Sequence, residues 1–242
     1  MRQRVVSNGG RDAAQQKAVL RRAAGIRLRF GRLLRAWYRS HHRDLPWRRT
    51  RDPYRVLVSE LMLQQTQVSR VVLRYGDFLE RFPTLDALAR ARPARVMEAW
   101  SGLGYYARAK NLHRLARGLA ATGTPAALPS GADALRLLPG IGPYTAGAVA
   151  SFAYEQREAL VDTNVARVVR RVVAPGLDAT RAAGGRTIWA VARALLPRTG
   201  RATYVHNQAL MELGALVCTA RVRHCVRCPV RSVCATYEAD RR

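Results

Sequence analysis

Apolar residues recur at helical spacing along almost the whole chain. Phe30, Leu33, Leu34, Trp37 and Tyr38 follow an i, i+3, i+4 pattern, which gives one apolar helix face. Asp52-Pro53 is a start signal, because Asp caps and Pro tolerates the first helical turn. The helix that follows carries Val56, Leu57 and Leu61, with Glu60 on much the same face. Further helices are predicted over 85–90, 93–100, 107–121, 132–137, 143–154, 164–173, 186–196 and 205–217. Gly102 and Gly104, then Pro125 and Pro129, then Pro139, Gly140 and Gly142 punctuate them. Val-rich pieces such as 168–173 are ambiguous, but their arginines suit a helix better than a strand. The predicted fold class is all-α. Residues 1–24 read as a basic, mobile tail.

Charge adds a partner to this picture. Lys and Arg total 42 against 16 Asp and Glu, a formal net charge of +26. Such an excess repels itself in a compact chain unless a polyanion is at hand, and nucleic acid is the first candidate. Part of the excess reflects arginine-rich composition, since Lys17 and Lys110 are the only lysines. No stretch approaches the roughly 20 apolar residues of a membrane span, and the N-terminus lacks the apolar core of a secretory signal. We therefore expect no membrane partner, a cytoplasmic bacterial location and a monomer.

The cysteines point to a metal. All four cluster as Cys218-x6-Cys225-x2-Cys228-x5-Cys234. A disulfide framework spreads its cysteines along the chain, whereas four thiolates this close can surround one centre. Soft sulfur ligands suit either zinc or an iron–sulfur cluster. Arg221 and Arg223 lie between the first two cysteines, where a metal-pinned loop would hold them against phosphates.

Three further segments carry chemistry. In Leu138-Pro139-Gly140-Ile141-Gly142-Pro143-Tyr144-Thr145, the glycines allow a tight turn and Pro143 opens a helix. Free N–H groups at such an end bind phosphate without reading a base, which makes Gly140, Gly142 and Thr145 candidate phosphate contacts. Glu60 lies among apolar positions, where burial disfavours the charged form and leaves a proton to donate. Asp162, in Val161-Asp162-Thr163-Asn164-Val165, lies where a helix begins, and the positive dipole end favours its carboxylate. Carboxyls pushed in opposite directions form a working acid and anion pair for glycosidic cleavage. The plainer alternatives are that Asp162 is a helix cap and that Glu60 pairs with a nearby arginine.

Taken together and in order, these motifs resemble the helix-hairpin-helix DNA glycosylases with an iron–sulfur cluster, and within them the adenine glycosylases of the MutY type. The likeness runs from about Leu45 to Cys234. It rests on Leu45-Pro46-Trp47-Arg48, the 60–67 segment Glu-Leu-Met-Leu-Gln-Gln-Thr-Gln, the 102–112 segment around Gly104-Tyr105-Tyr106, the hairpin, the Asp162 motif and Met211-Glu212-Leu213-Gly214-Ala215. It implies a six-helix module over 46–155 that contains the hairpin. It also implies a cluster module joining 25–45 to 156–242, with double-stranded DNA bound in a cleft between them and the target nucleotide flipped out. A [4Fe–4S] cluster on Cys218, Cys225, Cys228 and Cys234 is implied as cofactor. By the same resemblance, Glu60 is the general acid, Asp162 stabilises the sugar cation, and Tyr144 and Asn164 organise them. Trp47, Arg48 and Glu212 match positions lining the adenine pocket, and Gln65 and Tyr105 match residues that enter the DNA stack.

The implied reaction is monofunctional removal of adenine mispaired with 8-oxoguanine or guanine, as a step of base excision repair. Bifunctional relatives resembling endonuclease III carry a lysine where this chain has Tyr144, and a phenol cannot form their Schiff base. Two departures stand out. Full-length relatives continue into a β-rich domain that reads 8-oxoguanine, whereas this chain stops eight residues after Cys234. Thr163 stands where many relatives have glycine. The alternative function is a thymine or uracil glycosylase acting at G mismatches, since short relatives of that kind share the hairpin tyrosine.

Overall fold

The computed structural model describes residues 8–123 and 125–241. The elements in chain order are α1 (Asn8–His41), a 3-10 turn (Pro46–Arg48), α2 (Pro53–Leu63), α3 (Val68–Arg81), α4 (Leu85–Arg90), α5 (Pro93–Ala99), α6 (Ala107–Thr122), α7 (Ala132–Arg136) and α8 (Pro143–Phe152). They are followed by α9 (Thr163–Val173), α10 (Ala182–Leu195), α11 (Gly200–Leu216), two 3-10 turns (Cys225–Arg227, Arg231–Val233) and α12 (Ala235–Ala239). Among the described residues there is no strand beyond one antiparallel bridge between Cys218 and Arg223. The chain is all-α, as its periodicity predicts. No described helix is long and apolar enough to cross a membrane.

The chain divides into two units. One joins the residues up to His42 to those from Arg157 onward; the other is Arg43–Gln156. In the first unit α1 packs on α10 and α11, and α9 on α11 and α12. Phe30 and Leu34 of α1, Val168 of α9, Leu195 of α10 and Leu213 of α11 are buried there. The second unit is built on the pairs α2 with α8, α4 with α6 and α7 with α8. Leu57, Phe78, Leu88, Trp100, Leu112 and Val149 are among its fully buried residues.

Helix α1 corrects the expectation of a mobile tail over 1–24. Residues 1–7 lie outside the described residues, but from Asn8 the chain is helical. Val19 and Ala23 are buried and continue the stripe of Phe30, Leu34 and Tyr38 at near-i, i+4 spacing. Burial of that stripe orders a segment whose polar composition argues for coil.

Candidate functional site

Glu60 belongs to the second unit. Asp52 caps α2 by accepting from the Arg55 N–H at 2.8 Å, and Pro53 takes the first helical position. Two turns on, Glu60 is only 3 % exposed. Its environment is set from α8, where the Tyr144 hydroxyl donates to Glu60 Oε2 at 2.7 Å. A second tie lies one turn further along α2, where Gln64 Nε2 donates to Thr145 Oγ1 at 3.1 Å. The helix after the hairpin thus delivers a phenol to a buried carboxyl.

The hairpin itself is tight. Gly140 has φ +78°, and a Cβ there would stand 2.6 Å from Asn111 Cβ of α6, so glycine answers both the backbone and the contact. Gly142 ends the turn with extended backbone and Pro143 starts α8. The first intrahelical bond is made by the Ala146 amide to Gly142, which leaves the Tyr144 and Thr145 amides ahead of it. The Thr145 side chain is buried and its hydroxyl is engaged by Gln64, so it is the backbone amide of Thr145 that is left for a phosphate. Leu137, on the approach to the turn, is 86 % exposed.

Gln65 and Tyr105 sit at exposed loop positions with φ +54° and +46°. Left-handed backbone at residues other than glycine costs on the order of 1–3 kcal/mol and persists only where surroundings enforce it. Arg108 enforces it here. Its guanidinium donates to the carbonyls of Leu61, Met62 and Gln64 on one side, and to those of Leu103, Gly104 and Tyr105 on the other, at 2.6–3.3 Å. It also reaches Thr66 Oγ1, which in turn donates to the Leu103 carbonyl. Tyr105 is 60 % exposed and takes no part in the core. Trp47 is buried edge-on against Tyr75, and Arg48 donates to the Arg43 carbonyl at 2.8 Å.

Asp162 belongs to the first unit and is the N-cap of α9. Its Oδ1 accepts from the Val165 amide at 2.7 Å and its Oδ2 from Asn164 Nδ2 at 3.0 Å. The capping alternative is therefore true of its geometry, and both carboxyl oxygens are held. Asn164 is fixed in turn by Arg167, whose Nη2 donates to Asn164 Oδ1 at 2.6 Å and to the Gly214 carbonyl at 2.8 Å. A Cβ on Gly214 would lie 2.7 Å from Asn164 Cβ, so α11 can approach only as glycine. Glu212, on the same helix, is wholly buried.

The four cysteines are free thiols lining one pocket with Val168, Leu213 and Val230. Burial, reinforced by the neighbouring cysteines, pushes the Cys228 thiol up to about 12, and burial likewise raises Cys234. Metal binding has to displace those protons. Helix α9 straps this loop: Arg167 Nε donates to the Cys218 carbonyl, and Arg171 donates to Cys218 Sγ at 3.3 Å and to the Thr219 carbonyl at 2.7 Å. The Arg171 carbonyl accepts from Thr236 Oγ1. Arg221 is exposed, and Arg223 is paired with Asp240 at 2.9 Å. Among the described residues, no three His, Cys, Asp or Glu side chains stand close enough to share one metal ion.

Sequence reasoning missed Arg108, Arg167 and Arg171, which are hidden among the chain's many arginines. Their one signal is position: Arg108 precedes Leu112 and Leu115 on a buried helix face, and Arg171 lies next to Val172 and Val173.

Comparison with known proteins agrees with this arrangement. Residues 58–183, which include Glu60, the hairpin and Asp162, match the model of the HhH-GPD superfamily base excision DNA repair protein. The adenine DNA glycosylase of Mycolicibacterium smegmatis is 49 % identical over 198 residues, covering 81 % of this chain and 66 % of the relative. That of Rattus norvegicus is 43 % identical over 218 residues, covering 86 % and 42 %. This chain thus spans between two fifths and two thirds of these curated relatives. A solved thermostable thymine-DNA glycosylase superposes with a TM-score of 0.79 at 28 % identity, covering 88 % of this chain and 97 % of that one. A buried glutamate under a hairpin-borne tyrosine and a capped aspartate thus fall within the span that one family's pattern matches, and the chain belongs to the HhH-GPD superfamily of base excision DNA repair proteins.

Proposed function

We propose that this chain is a monofunctional DNA glycosylase that hydrolyses the N-glycosidic bond of adenine mispaired with 8-oxoguanine or guanine, working as a monomer on duplex DNA. The observation that carries this is the Tyr144 hydroxyl on the buried Glu60 carboxyl. In the proposed reaction Glu60 gives its proton to N7 of adenine as the bond from C1′ to N9 breaks with its electron pair leaving on the base. Asp162, whose two oxygens are held by hydrogen bonds at the start of α9, balances the positive charge left on the sugar. Water then adds at C1′, its proton is lost to Glu60, and an abasic site remains. Tyr144 stands where strand-cleaving relatives hold an amine, so no Schiff base forms and the strand stays intact. The names of the relatives at 43–49 % identity support adenine as the base.

The cysteine pocket supports a [4Fe–4S] cluster. Four thiols line this one pocket, and an all-sulfur donor set of that kind suits iron–sulfur ligation. Held by Cys218, Cys225, Cys228 and Cys234, such a cluster would cross-link the loop that carries Arg221 and Arg223. Iron and acid-labile sulfide should be found at four each per chain, and stoichiometric zinc would refute the assignment.

Single-turnover excision from duplexes containing A·8-oxoguanine, A·G, T·G and U·G tests the function. Adenine should be released fastest, and the Glu60→Gln variant should lose at least about 100-fold in rate while still binding duplex. Faster release of thymine or uracil would install the alternative suggested by the likeness to the thymine-DNA glycosylase. Unchanged excision by the variant would remove Glu60 from its role.

A further inference from the structure

The second unit carries a basic groove that the excision reaction does not use. It runs between α5 and α6 and is lined by Pro93, Met97, Lys110, His113, Arg114 and Arg117. Positions 110, 113, 114 and 117 form a single stripe on α6, whose opposite side buries Ala109, Leu112, Leu115 and Ala116. No acidic side chain lines the groove among the described residues. Glu98 of α5, which could have neutralised it, is paired with Arg81.

Two features separate this stripe from an ordinary solvated arginine face. Lys110, Arg114 and Arg117 follow one another at i+4 and i+3, where like charges destabilise a helix. An anion in the groove reverses the sign of that interaction. His113, 6 % exposed, lines the groove, and its Nε2 has no hydrogen-bond partner. A buried donor or acceptor left unsatisfied costs about 1–3 kcal/mol, so a small turn of the ring that brings Nε2 from its buried position to a phosphate oxygen would be favoured.

The groove is also tied to the hairpin. Arg114 Nη2 donates to Asn111 Oδ1 at 2.9 Å, and Asn111 is the residue against which Gly140 packs. The stripe therefore begins beside the turn whose amides are offered to phosphate. From Lys110 to Arg117 the helix rises about 10 Å. Successive phosphates of one strand advance about 3.4 Å along the duplex axis, so the stripe spans about three of them.

We propose that this groove binds consecutive backbone phosphates of the DNA, extending the track that starts at the hairpin. The proposal rests on the nucleic-acid reading above and adds a site to it. It predicts a salt signature. Replacing Lys110, Arg114 and Arg117 together by glutamine should make the plot of log K against log salt for undamaged duplex shallower by about 2–3 units. Between about 50 and 200 mM salt, the advantage of the wild-type chain over the variant should then shrink about 40-fold. Glutamine at Arg21, Arg29 and Arg32, exposed on α1, removes the same charge and should leave the slope almost unchanged. A groove variant that merely tracks this control would overturn the proposal and leave the glycosylase reading standing. Failure of the wild-type chain to bind duplex at any of these salts would overturn both.

The ring signals of His113 in the wild-type protein provide a readout that needs no variant. They should shift on titration with duplex and, more weakly, with pyrophosphate. Silence toward both would also end the proposal. A response to pyrophosphate with no change of slope in the variant would assign the groove to free phosphates and overturn the DNA assignment.

Discussion

Arg108 shows how much one side chain can fix. Five N–H donors in a rigid plane hold two loops whose tips, Gln65 and Tyr105, adopt backbone conformations that they would not choose alone. Arg108→Lys keeps the charge but has a single ammonium that cannot span both rows of carbonyls. We expect excision to fall on the order of 100-fold, as misplacements near 1 Å do, while helix content and the fold of the unit persist. An unchanged rate would mean that the loops hold themselves. The sequence makes Glu60, Asp162 and the four cysteines legible because their residue types are scarce or clustered. Arg108 and Arg167 escape notice for the opposite reason. In a chain with 42 basic residues an arginine carries little information by itself, and only its acceptors reveal its work.

At the scale of elements, packing decides what periodicity leaves open. Helix α3 goes unassigned in the sequence reading. Its buried set, Val71, Tyr75 and Phe78, is helical in spacing, but exposed Val72 and Leu73 blur the face, and Gln67 makes no side-chain cap. Helices α10 and α11 start several residues before the predicted 186 and 205, at Ala182 and Gly200, and Thr199 caps the latter through the Ala202 amide. The contact of α1 with α11 also holds a titratable group. His206 is buried edge-on against Phe30, with no partner for either ring nitrogen. Burial, and after it the nearby Arg35, brings its pKa from 6.5 down to about 3. The unfolded chain therefore takes up a proton as pH falls through 6.5 while the folded chain does not. Stability is full above that pH and declines toward pH 3, by up to about tenfold in the folding equilibrium per pH unit. His206→Leu should flatten this slope in denaturant titrations between pH 6.5 and 4, and an unaltered slope would exclude His206 as its source.

On the scale of the whole molecule, the all-α class could be read from spacing alone, because turns and caps punctuate nearly every helix. Two things could not be read. One is how far α1 reaches, since Val19 and Ala23 look unremarkable until α10 and α11 cover the helix. The other is the set of arginine clasps that tie separate segments together, since a hydrogen bond to a carbonyl leaves no trace in residue type. The fold also divides into units, Arg43–Gln156 being inserted into the other.

That insertion has a consequence for biosynthesis. Helix α1 leaves the ribosome early, but the helices that shield Phe30 and Leu34 begin only at Ala182 and Gly200. At about 5–20 residues per second, its apolar stripe waits on the order of ten seconds for cover, while Arg43–Gln156 can already close on itself. Nascent chains stalled between these points should therefore display α1 to chaperones, and slow translation of that stretch should lower yield more than slow translation elsewhere.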